Sequence, residues 1–183
     1  MNKLRLIGRT PVARTVILTL VAGFIFTGTT VAATPKKVFT SKRYGYSLVL
    51  PRTWSMQQTP GKWTPGTQPL EGSPGIDAFS RQARALVGAA RQAAEGTTLE
   101  AWTVEAAALT PGQCRTNASL PASLGGEPAH RWEIRCTDGA NVIKIAALHG
   151  GQGYLFAFVK DAQLNRADRT FFAKVVRTFK FTR

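Results

Sequence analysis

The sequence predicts an α+β domain, and three observations carry that expectation. His130, Trp132, Ile134 and Cys136 alternate with Arg131, Glu133 and Arg135, the pattern of a strand with one buried and one wet face. "NVIKIAALH" and "YLFAFVK" are apolar on both faces, as central strands covered from both sides are. Two further stretches, opening at Thr97 and at Asn165, show helical spacing behind a polar capping residue.

The chain begins with a basic leader. Lys3, Arg5, Arg9 and Arg14 precede an apolar run from Val16 to Phe26, too short to span a bilayer comfortably. Val31 and Ala33 occupy the small-residue positions before a signal-peptidase cut, so residues 1–33 read as a signal peptide and the mature chain as starting at Thr34; an uncleaved anchor is the alternative. No cysteine follows the run, which argues against a lipid anchor, and residues 34–183 have the length of one domain without a transmembrane segment. The expected location is periplasmic or extracellular.

Along the mature chain, "VFTS" and "YGYSLVLPRTW" read as two short strands joined at Lys42 and Arg43, with Tyr46, Leu48 and Leu50 on one face and Pro51 as the stop. Thr59 to Pro74, rich in Pro, Gly and Thr, reads as a surface loop with Trp63 at its centre, a place where binding residues collect. "DAFSRQARALVGAARQAAEG" suits a helix by composition and a hairpin by the spacing of Ala85, Val87 and Ala89; the spacing favours strands. Thr97 with Glu100 three residues on forms a capping box, and Leu99, Trp102, Ala106 and Leu109 share one helical side until Thr110, Pro111 and Gly112 end it. Asp138-Gly139 reads as a type I′ hairpin turn. After Asn165, Phe172, Val175, Val176 and Phe179 face the core, and "FKFTR" closes the chain as a short strand.

"HGGQGYLFAF" holds the one glycine cluster that could cradle a phosphate. No Lys-Ser or Lys-Thr follows it, Phe156 stands where a dinucleotide fingerprint needs its third glycine, and the run enters a strand rather than a helix, so Gly150, Gly151 and Gly153 read as a hairpin turn. No nucleophile elbow occurs, the acids are scattered, and His130 falls on an inward strand face. His149 beside the turn is the one candidate general base, without a partner acid in view. No cofactor and no metal site is expected: the two histidines are isolated from any ligand spacing.

Cys114 and Cys136 are the only cysteines, and in an exported chain they read as a disulfide closing a loop of about 22 residues, worth on the order of 3 kcal/mol. Four of the 24 basic residues lie in the leader, which leaves 20 against 10 acidic ones, a mature charge of +10. Such a surplus favours anionic surfaces. With Phe172, Val175 and Val176 inward, Arg166, Arg169, Lys174 and Arg177 fall on or beside the solvent side of the last helix and form a candidate face for an anionic partner.

The order of elements, with "YSLVLPRTW", Gly125-Gly126-x-Pro128-Ala129 and the terminal Thr178-Phe179, resembles the PsbP/Mog-like family, found in photosystem II extrinsic proteins and in exported bacterial proteins. That resemblance implies an antiparallel sheet packed between helices, an α/β/α sandwich, with a binding or assembly role and no catalytic residues to carry over. The Pro/Gly loop and the cysteine pair depart from the pattern, and a photosystem role is not implied. The sequence therefore points to a non-catalytic binding or accessory domain of the cell envelope, whose partner is an anionic envelope component or an acidic protein rather than nucleic acid. The alternative is a hydrolase or transferase with a dispersed site near His149 and the Trp63 loop.

Overall fold

The structure is a computed structural model that describes residues 35–63, 73–109 and 113–182. The leader, the cleavage position, residues 64–72 of the Pro/Gly loop, the helix stop at 110–112 and Arg183 lie outside the described residues. What is described is sheet-rich α+β.

Strands β1 (Lys36–Ser41) and β2 (Tyr46–Pro51) form the expected first hairpin, and the closing strand β10 (Lys180–Phe181) pairs with β2, giving a three-stranded antiparallel sheet in the order β1-β2-β10. Strands β3 (Ser55–Gln58), β4 (Asp77–Arg81), β5 (Arg84–Gln92), β6 (Cys114–Leu124), β7 (Glu127–Cys136), β8 (Asn141–His149) and β9 (Gln152–Lys160) build a seven-stranded antiparallel sheet in the order β3-β4-β5-β9-β8-β7-β6. The two segments apolar on both faces are β8 and β9, near the middle as expected. The ambiguous stretch from Asp77 is a hairpin of strands, and Gly88 shows why strands win there. A Cβ at Gly88 would stand 2.4 Å from the Tyr46 hydroxyl, so the bare glycine admits Tyr46, which donates to Asp77 Oδ2 at 2.9 Å.

Directly opposed residues share a face, so register sorts the core in two. Leu86, Phe158 and Ile143 point to one face and Val87, Ala157 and Lys144 to the other. The first face packs against Tyr46, Leu48, Leu50 and Trp54 of the small-sheet region and against Phe172 and Val175 of helix α2 (Arg166–Thr178). The second carries Trp63, Ile76 and Trp132 beneath helix α1 (Leu99–Ala108), whose Trp102 and Ala106 are buried. The cover over the first face is thus a helix and a second sheet side by side rather than helices alone.

Four local expectations change. Thr98, not Thr97, caps α1: its side chain accepts from Ala101 N at 3.2 Å, which leaves Glu100 out of any capping box, while Thr97 Oγ1 donates to Ala94 O at 2.7 Å. Between β7 and β8 only Gly139 has positive φ, +91°; Gly139 N donates to Cys136 O and Cys136 N to Ala140 O, a three-residue loop with a glycine bulge instead of a type I′ turn. Gly150 and Gly151 do form the tight turn between β8 and β9, at φ +54° and +74°, but Gly153 belongs to β9. A Cβ there would lie 2.6 Å from the Trp102 indole, so this glycine exists to seat α1. Trp63 is not a loop-tip residue: only 3% exposed, it meets Trp102 edge-on at 6.4 Å.

Candidate functional site

Helix α2 is fixed at its start by Asn165, which accepts from Asp168 N while Asp168 Oδ2 accepts from Asn165 N, both at 3.0 Å. Lys160 also donates to Asp168 at 2.7 Å and Arg84 lies 3.3 Å from it. Burial would raise that carboxyl, but the hydrogen bonds from Lys160 and Asn165 and the nearby charges outweigh it and hold the group below its ordinary range. With α2 held so, Arg169 reaches the sheet. Its guanidinium donates to both oxygens of Glu133, at 3.0 and 3.1 Å, and to Leu164 O. Glu133 also accepts from Arg131, two residues away on the same face of β7. Burial pushes the Glu133 carboxyl up, and the two arginines more than reverse it, leaving it below its usual range.

Between α2 and strands β6, β7 and β8 runs a groove of about 510 Å³. Its floor is apolar, from Ala122, Ile145, Phe172 and Val176; its rim is basic, from Arg131, Arg169, Lys174 and Arg177. Of the four residues assigned to the basic face, all are exposed, and Arg166, Lys174 and Arg177 have no ion pair among the described residues. Arg169 is different: it is spent on Glu133 and acts as a tie between helix and sheet. The joining of Arg131 and this floor in one groove was not legible in the sequence, because it depends on how α2 lies across β6, β7 and β8.

His149 gains the acid it lacked in sequence. Its Nδ1 lies 2.8 Å from Glu127 Oε1, and its ring stacks on Phe181 at 4.1 Å. A cavity of about 500 Å³ adjoins it, whose described lining contains no serine, cysteine or lysine. Among the described residues, His149 shares the face of Ile145 and Ala147, whereas Trp63 is packed into the core of the opposite face. His130 is half-buried, tilted on Trp132 at 4.7 Å and 2.6 Å from Ser119 Oγ, a satisfied histidine.

Cys114 and Cys136 are bonded and face each other across β6 and β7 at the open end of that hairpin. Beside them Arg115 is directly opposite Arg135, a pairing missed in sequence because β6 itself was. Among the described residues no three His, Cys, Asp or Glu side chains cluster as metal ligands, and no helix is long and apolar enough to cross a membrane.

No protein-family model matches the sequence, and no curated protein matches it either. Solved structures do share its fold. The solution structure of cyanobacterial PsbP (CyanoP) from Synechocystis is 17% identical, with 83% of this chain and 95% of that one covered and a TM-score of 0.56. A point mutant of the protein Mog1 is 10% identical over 81% of this chain and 96% of that one, TM-score 0.50. A Bacteroides thetaiotaomicron protein is 12% identical over 80% of this chain and 48% of that one, TM-score 0.52. The chain has the PsbP/Mog-like fold that the resemblance implied.

Proposed function

We propose that this PsbP/Mog-like chain is an exported, non-catalytic binding or accessory protein of the cell envelope, and that it meets an anionic partner through the groove beside α2. In this reading α1 on one face of the large sheet and α2 on the other make the sandwich that presents the groove. The observation that carries it is the pairing of an apolar floor with Lys174 and Arg177 on the rim, cations with no ion pair among the described residues. The basic leader and the mature charge support an envelope location, periplasmic or extracellular, with the mature chain starting at Thr34.

The test follows from the geometry. Arg169 must stay, since removing it would leave Glu133 short of a partner. The triple variant Arg166→Gln, Lys174→Gln, Arg177→Gln should fold normally yet bind anionic vesicles or wall polymer about tenfold more weakly at low salt, with a flatter salt dependence. Binding equal to the parent at every salt concentration would refute the basic face. The enzymatic alternative draws on the Glu127–His149 pair alone. Under it, His149→Ala abolishes any turnover found in the protein; under the binding reading that change leaves binding intact.

A further inference from the structure

We propose that the occupant of the α2 groove is an acidic, amphipathic polypeptide segment, gripped at its two ends by separate cation pairs. This rests on the basic-face reading and names its partner. The first observation lies outside α2. Register sets Arg115 opposite Arg135, and both share a face with Glu133 and Arg131. Like charges directly opposed destabilise a hairpin, yet both side chains are exposed and neither has an ion pair among the described residues. An anionic group between them relieves that repulsion.

The second observation is what separates this pair from the other end. Arg131 lies four residues from Arg135 on one face, about 14 Å away. Between them Glu133 is clasped by Arg131 and Arg169, so the middle of the track sets one carboxylate against two guanidiniums and carries +1 where the cation pair at either end carries +2. The middle is also where apolar surface shows: Leu120, opposite Arg131, is 50% exposed, and Ala122 and Val176 are half-buried in the groove. Lys174 and Arg177 then mark the far end. A phosphodiester polymer carries nothing for the apolar floor and would match an unbroken row of cations; a bilayer is too flat to enter a groove. A polypeptide with acids at both ends and apolar side chains between them complements all three parts.

The experiment uses the purified protein and a labelled nonapeptide with two glutamates at each end and an apolar centre. The comparators are the same peptide with a serine centre and phosphatidylglycerol vesicles. The apolar-centred peptide should bind at least about tenfold tighter than the serine-centred one, and Arg115→Gln with Arg135→Gln should weaken it about tenfold. Leu120→Ser should weaken the apolar-centred peptide alone. Equal affinity for the two peptides, or no effect of the hairpin pair while the α2 triple variant loses binding, overturns the proposal and leaves the basic-face reading standing. Vesicles preferred over both peptides also overturn it, making the membrane the partner. No binding of any probe at low salt sinks both readings together.

Discussion

The two helices rest on one sheet by different means. Helix α2 is amphipathic in the ordinary sense. Phe172 and Val175 are buried, Phe171 stacks on Trp54 at 4.9 Å, Asp168 is tied to Lys160 of β9 and Arg84 of β5, and Arg169 to Glu133 of β7. Helix α1 has a shorter, shallower stripe: it fully buries only Trp102 and Ala106, with Leu99 and Ala107 half-buried beside them. Its buried apolar anchor is concentrated in one indole, laid on the bare backbone of Gly153 and donating to Tyr154 O at 3.3 Å, with polar ties from Arg91 to Glu105 and from Lys144 to Ala106 O beside it. A distributed anchor tolerates the loss of one member, while a single anchor does not.

Trp102→Ala is therefore the substitution with the largest expected effect, about 4 kcal/mol for a fully buried aromatic. Hydrogen exchange should separate it from Phe172→Ala. The first should release the α1 amides well before those of β8 and β9; the second should lower global stability while α2 stays protected. Early release of α2 in the Phe172 variant would break the contrast.

Lys144 sharpens the same contrast, because it sits beneath α1 where α2 has carboxylate ties. It is 4% exposed, donates to Ala106 O at 2.6 Å and lies 5.5 Å from the Trp132 ring. Burial pushes its amine down from 10.5 to about 8. The native state thus sheds this proton before the unfolded chain does. From pH 8 to about 10.5 the unfolded state binds more protons, and stability rises with pH, by on the order of 3 kcal/mol for this group. Lys144→Met should remove that rise, as denaturation at stepped pH would read; an identical slope in both proteins would show that the fold does not lower the Lys144 amine.

What the sequence made legible follows the same division. Helix α2 and β2 were readable because their burial is periodic, β8 and β9 because they are apolar on both faces, and the disulfide because the chain holds a single cysteine pair. Strand β3, "SMQQ", is exposed throughout, and β6 is an edge strand, wet on most of both faces with Pro121 inside it, so neither carries a hydrophobic period. The groove was hidden for that reason: Ala122 of its floor and Arg131 of its rim come from β6 and β7 in register, and the rest from β8 and α2 laid beside them. Trp63 misled in the opposite way, since a Pro/Gly setting says loop but nothing about what an aromatic within it covers.

At the start of α2 the tie is ionic, and Asp168→Asn tests it. The carboxyl is held below its ordinary value, so its contribution is complete above the ordinary carboxylate range near pH 4 and is lost as pH falls below it. The variant should lose about 2 kcal/mol at neutral pH and unfold less steeply in acid than the parent. Equal losses at pH 7 and pH 2 would assign the effect to packing instead.

The smallest effect discriminates most finely, because it asks which threonine begins α1. Thr97 and Thr98 both precede the helix, and a cap followed three residues later by Glu100 selects Thr97. The backbone selects Thr98, whose extended φ of −83° and ψ of 160° let its oxygen accept from Ala101 N. Glu100 then sits in the first turn, where its charge favours the helix end without closing a box. Thr98→Ala should cost about 1 kcal/mol, whereas Thr97→Ala removes only an exposed donation to Ala94 O and should cost less than half of that. Because α1 is pinned by Trp102 and not by its end, the lost cap should fray the first turn without releasing the helix. Exchange of the Ala101 and Trp102 amides should quicken in the Thr98 variant while Ala106 stays slow. A larger loss from Thr97→Ala would restore the capping box and move the start of α1 back by one residue.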